Sequence, residues 1–262
     1  MTNIGVFPFG KPVQILIQEN RTPKKVFILG VYASAVHARW IDSNSKELVK
    51  ALAVASEPYI FWRGENAESI IRNIGVPEGC GKLEPADSKF NGPSGIALDD
   101  LILKPLGLER EDAWLCDLVP HSCMNSDQEK AIKREYLPRI GNKLPTPSVP
   151  FVPRELTDDK RVSEILSELR ESKAEILVLL GNEPIKWFLH KFDERTELSE
   201  FGYDQQSYGK THSIQISGVT IDVLPLAHPR QIARLGKSSS HWYKWHQVWI
   251  ENRAPELRKK IK

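Results

Sequence analysis

Five polar side chains, Tyr32, Asp117, His121, Asn182 and His228, sit within or just beyond four short apolar runs. A phenol, a carboxylate, two imidazoles and an amide gathered on one rim could read the hydrogen-bonding edge of a ligand and move protons to or from it. A single histidine is more often structural, and only the shared rim raises His228 above that reading. The runs that would deliver these groups are 26–30, 113–119, 176–181 and 220–226, each almost continuously apolar, as strands covered on both faces are. Helical segments separate them. This pattern predicts an α/β fold, a three-layer sandwich around a central, mainly parallel four-stranded sheet, with ligands taken at the carboxyl ends of the strands.

The stretch 90–123 is the centre of this plan. Asn91-Gly92-Pro93-Ser94-Gly95 forms a turn, and Ser94 is a natural N-cap for an amphipathic helix over 96–106 that Gly107 closes. The run 113–119 follows and carries Asp117 towards His121 and Ser122. Before this stretch, 48–55 and 58–62 are apolar pieces that could form an antiparallel ribbon. Residues 67–75 read as a short helix, and 76–93 as a long surface loop. After it, a helix is expected from Ser126 with a Ser126–Glu129 capping box, then a proline-rich connector over 138–157 and an amphipathic helix over 157–172. A hairpin turns at Ser217-Gly218, and a terminal helix over 241–262 breaks near Pro255. Nothing divides the chain compositionally, so 1–262 is taken as one domain with an N-terminal arm, 1–22.

Composition excludes several classes. The 262 residues are 40% hydrophobic and carry a net charge of only +2, so any basic footprint must be local. No apolar run approaches the length of a membrane span, and the N-terminus lacks a secretory pattern, so a cytoplasmic, monomeric protein is the expectation. One glycine after the first strand is not a dinucleotide fingerprint, and 75–82 lacks P-loop spacing. The three cysteines, Cys80, Cys116 and Cys123, have no paired spacing, and neither a metal nor another cofactor is expected.

With these pieces in order, the chain resembles the uracil-DNA glycosylase superfamily, and within it the branch that usually carries an iron–sulfur cluster. The resemblance rests on the strand leading into Gly30, Phe90-x-Gly92-x-Ser94-Gly95 with Leu98-Asp99, Gly107-Leu108-x-Arg110-Glu111-Asp112, Leu179-Leu180-Gly181-Asn182-Glu183, and His228-Pro229. It implies an enzyme that flips a base out of DNA and hydrolyses its glycosidic bond, with DNA as partner. It implies that Phe90 stacks on the base, with Tyr32, Asn182 and His121 as further base-binding residues. Asp117 occupies the place of the base-reading asparagine, and His228 matches the donor that stabilises the departing base. It also implies DNA contacts from Arg230, Arg234 and Lys237, with Ile232 as a wedge entering the duplex.

The chain departs from this family at three places. The loop after the first strand reads Val31-Tyr32-Ala33, without the carboxylate or amide that handles the water. The four cluster cysteines are absent, and Arg230 stands where a serine is usual. Two readings follow. One is a DNA N-glycosylase of base-excision type, with Asp117 or His121 supplying what the first loop lacks. The other is a nucleobase- or DNA-binding protein that keeps the pocket without the reaction. Hydrolysis of free nucleosides is a third, which the basic residues beside Ile232 disfavour.

Overall fold

The structure is a computed structural model and describes residues 4–141, 146–235 and 240–261. The chain divides into two compact units, each assembled from three stretches of sequence. The first comprises 1–16, 32–93 and 120–154, and the second 17–31, 94–119 and 155–262.

The second unit holds the main sheet. Its strands are β1 (Val26–Tyr32), β5 (Ala113–Val119), β6 (Ile176–Leu180), β7 (His212–Ile216) and β8 (Val219–Leu226), in the order β5-β1-β6-β8-β7. Strands β1, β6 and β8 run parallel, with Val26 opposite Ile176 and Ile176 opposite Asp222. The α/β expectation therefore holds, but the sheet has five strands rather than four. The first arm of the expected hairpin, β7, joins as an antiparallel edge strand. Only Ile214 and Ile216 of β7 face inwards, which suits an edge. The connection is the two-residue turn Ser217-Gly218 at φ 51° and 84°, the doubly left-handed geometry that matches strand twist. Strands β5 and β6 are buried along their whole length, which is why they read as unbroken apolar runs.

Helices in this unit follow their local signals, with shifts at the ends. The Asp158 carboxylate caps the helix Asp159–Ser172 by accepting from the Arg161 N–H, and Val162, Ile165 and Leu169 face inwards. The helix after the central turn starts at Pro93, so Ser94 lies inside its first turn rather than capping it. A π-helical turn, Asp99–Leu103, follows within it. There Asp99 pairs with Arg110 at 2.8 Å, which gives two of the family-like motif residues a structural duty. The C-terminal region forms two helices, Ser240–Asn252 and Ala254–Lys260, that part at Arg253.

The first unit holds an antiparallel sheet of β2 (Ala35–Ile41), β3 (Glu47–Ser56) and β4 (Lys82–Pro85), ordered β3-β2-β4. The segment 48–55 thus pairs with β2 and not with 58–62 as expected, and the loop 76–93 contains an edge strand. The sheet packs on a core with Trp40, Leu52, Trp62 and Tyr136 at its heart. Asn125, not Ser126, caps the helix Ser126–Ala131, its side chain accepting from Asp127 and Gln128 N–H. Among the described residues no helix is long and apolar enough to cross a membrane.

Candidate active-site cleft

The parallel strands β1, β6 and β8 end together on one edge of the second unit, and a cleft of about 360 Å³ opens there. Its walls come from Val31 near the end of β1, from Leu180 at the end of β6 and Gly181 to Glu183 beyond it, and from His228 and Gln231 after β8, with Leu198 and Trp242 completing it. Asn182 and His228, two of the five rim residues, meet in this cleft. Asp117 belongs to the same unit but does not line it. Tyr32, Phe90 and His121 belong to the first unit.

His228 is held by its own backbone neighbourhood. It caps the turn Pro229–Ile232, its Nδ1 accepting from the Arg230 N–H at 3.2 Å, while Gln231 Oε1 accepts from the His228 N–H. An accepting Nδ1 carries no proton, so the neutral ring must hold its hydrogen on Nε2. Burial, and after it the positive charge of Arg230, pushes the His228 pKa down to about 4. The imidazole is therefore a neutral donor near pH 7. Gly181 lets this happen: it lies at φ 90°, and a Cβ there would come within 3.3 Å of the His228 Cβ.

Behind His228 runs a buried relay. The Ala227 N–H donates to the Tyr208 hydroxyl at 3.0 Å, the hydroxyl lies 2.9 Å from His246 Nδ1, and His246 Nε2 lies 2.8 Å from the Leu101 carbonyl. Since a carbonyl only accepts, Nε2–H donates to it and Nδ1 accepts from Tyr208. Burial pushes the His246 pKa down to about 4, consistent with a neutral ring. After β6 Asn182 Oδ1 accepts from the Leu198 N–H at 3.0 Å, and the Glu183 carboxylate accepts from the Trp187 indole. Sequence reasoning passed over Gln231, Trp242 and Tyr208. Only Gln231 left a local signal, three residues after His228 at capping-box spacing.

Asp117 sits in β5 with 4% exposure, and its carboxyl has no hydrogen-bond partner among the described residues. Burial raises its pKa to about 7, against the lowering effect of the Arg161 charge. Arg161 itself donates to the Asp117 and Leu118 carbonyls and lies 3.5 Å from Glu168, which accepts from the Trp114 indole.

The loop that should enter DNA departs from expectation at its wedge. Ile232 is fully buried and packs within its unit, because the turn capped by His228 directs it inwards. The exposed apolar side chain nearby is Leu235, at 37%. Arg230 and Arg234 are exposed, and the Arg234 guanidinium stacks 4.4 Å over the Tyr243 ring. Lys237 lies outside the described residues.

Within the first unit, Phe90 is half-buried beside His37, at 6.5 Å between ring centres, with the Lys89 ammonium 5.2 Å over its face. Asn91 anchors this turn by accepting from the His37 N–H and donating to the His37 carbonyl. His121 Nδ1 lies 3.1 Å from the Ser122 carbonyl. The segment after β1 has no acid of its own but receives one from the end of β3. Glu57, 2% exposed, accepts from the Ser34 N–H at 3.0 Å. No residue pattern near Glu57 announced this, since the pairing is made by strand geometry.

Three cysteines cannot supply the four thiolates of an iron–sulfur cluster, and Cys116 is buried against Arg161, so the chain does not fit that group. Among the described residues no three potential ligands gather as a metal site. A family model described as the uracil DNA glycosylase superfamily matches residues 86–249. No curated protein matches the chain.

Proposed function

Because the chain belongs to the uracil DNA glycosylase superfamily, we propose that it is a DNA N-glycosylase that hydrolyses the bond between an altered base and its deoxyribose. The observation that carries this reading is the neutral His228, its Nδ1 occupied by the Arg230 N–H and its Nε2–H free to donate at the cleft. In the reaction the electron pair of the C1′–N bond passes to the base, water oxygen bonds to C1′ and releases one proton, and the base leaves as an anion that takes up a proton in turn. A donor aimed at a carbonyl oxygen of the base strengthens as that charge develops, a contribution of about 3 kcal/mol. A neutral donor is well suited here, because it keeps its proton and holds no cation in the buried cleft before the charge forms.

The remaining roles complete the proposal. Asn182 in the cleft offers its amide to the base edge, and the superfamily resemblance carries over Phe90 as the stacking aromatic with Tyr32 and His121 as further base contacts. Arg230, Arg234 and Lys237 neutralise phosphate. Leu235 takes the wedge position that the burial of Ile232 leaves open.

The test is incubation with oligonucleotides that each carry one altered base, followed by alkali and gel analysis for abasic sites. Cleavage that falls by two to three orders of magnitude in His228→Ala would support the enzyme, by analogy with loss of one such donor. Binding across the panel without any abasic product would instead make the protein a base-binding module.

A further inference from the structure

The helix Ser240–Asn252 carries Trp242, Trp245 and Trp249 at spacings of three and four, along one flank. The three indoles meet different surroundings. Trp249 is buried, its N–H donating to the Gly209 carbonyl at 3.1 Å. Trp242 forms part of the cleft wall. Trp245 is only half-buried and meets Tyr203 edge to face, with centres 5.2 Å apart and planes at 87°. His241 lies 4.7 Å from Trp242 and 5.1 Å from Trp245. Tyr203, also within 6.4 Å of Trp242, is 63% exposed. An aromatic shelf thus runs without a break from the cleft wall at Trp242 out to a tyrosine left largely in water.

Leaving a tyrosine in water forgoes the stabilisation that burying its apolar area would bring. A ring so exposed, held edge to face by its neighbours, is a surface on which another flat ring can stack. Exposed cations occur in the same unit: Arg230, Arg234 and Lys244, the last on the helix of the shelf itself, and Arg234 is stacked on Tyr243. The acids in this region include Asp204, whose carboxylate accepts from Gln206 and Ser207, and Glu183, which accepts from the Trp187 indole. Aromatic faces beside exposed cations are the combination that single-stranded nucleic acid uses, because each unpaired base offers a π-face and each linkage a phosphate. Bases in a duplex are already stacked on both sides and offer no free face.

We infer that Tyr203, His241 and Trp245 form a stacking shelf for an unpaired base that adjoins the nucleotide in the cleft, so that single-stranded DNA is the preferred substrate class. The inference rests on the cleft being a nucleotide site. It is tested by anisotropy titration with a labelled, unmodified oligothymidylate and with the corresponding duplex, on the full chain. Tyr203→Ala and Trp245→Ala should each weaken single-strand binding on the order of tenfold, Tyr203→Phe should bind like the wild type, and duplex binding should stay constant.

Unchanged single-strand binding in Tyr203→Ala, or equal losses for single strand and duplex, would overturn the shelf. So would a wild-type protein that fails to bind the oligothymidylate, or a concentration-dependent dimer that Tyr203→Ala abolishes, since a second copy would then be the occupant. The excision assay reads the cleft separately. No excision together with Tyr203-dependent binding sinks the glycosylase and keeps the shelf, whereas excision with Tyr203-independent binding does the reverse.

Discussion

Replacing Asp117 with asparagine should stabilise the protein at alkaline pH and leave it almost unchanged in acid. The carboxyl is buried in β5 without a hydrogen-bond partner among the described residues, and its pKa rises from 3.8 to about 7. A raised folded pKa means that the native state holds the proton more tightly than the unfolded chain. The stabilising contribution is then complete below pH 3.8 and is lost as pH climbs through about 7. That span of roughly three pH units, at about 1.4 kcal/mol each, is worth about 4 kcal/mol. Asparagine resembles the protonated acid in size and does not titrate, so it escapes the loss. Urea unfolding followed by tryptophan fluorescence should show the advantage of Asp117→Asn growing by about 3 kcal/mol between about pH 5 and pH 8. His228 and His246 titrate with the opposite sign in both proteins, and so cancel in the difference. A constant gap across that range would refute the buried, isolated carboxyl.

His228→Asn should retain a cap acceptor for the Arg230 N–H, so unfolding should shift by less than about 1 kcal/mol while excision falls with the lost Nε2–H donor. Tyr208→Phe leaves the buried Ala227 N–H and His246 Nδ1 unpaired, and should cost about 1–3 kcal/mol for each group in a denaturant titration. Acidification should destabilise the wild type as well. His246, with its pKa at about 4 in the folded state, contributes stability that is present above its ordinary 6.5 and lost as pH falls through about 4, which a Tm series in acid would detect. Ile232→Ala should cost about 2–5 kcal/mol as a core truncation without changing the preference for either strand form. Leu235→Ala should do the opposite, and a duplex-specific defect in Ile232→Ala would reinstate Ile232 as the wedge.

The strands around the site were legible because their signals are local. Buried parallel strands need apolar side chains on both faces, so 26–30, 113–119, 176–181 and 220–226 announce themselves without knowledge of their neighbours. The hairpin turn and the general extent of the helices were also readable, as was the approach of His228-Pro229 to the strand ends. Partnership was not. Whether 48–55 pairs with 58–62 or with β2 depends on a register between Ala35 and Ser56 that no short window contains. The same holds for the edge strand Lys82–Pro85, for Ser34 finding Glu57, and for Tyr208 linking Ala227 to His246. Sequence determined which residue types stand at the strand ends. Tertiary structure decided their chemistry, because a protonation state follows from burial and from the partner on each ring nitrogen. It left Asp117 out of the cleft lining and drew Ile232 into the core. It also set a tyrosine and a tryptophan from opposite ends of a 42-residue interval, 203 to 245, edge to face at the surface. Contacts over such separations are made only when the chain closes on itself, and so they leave no local trace.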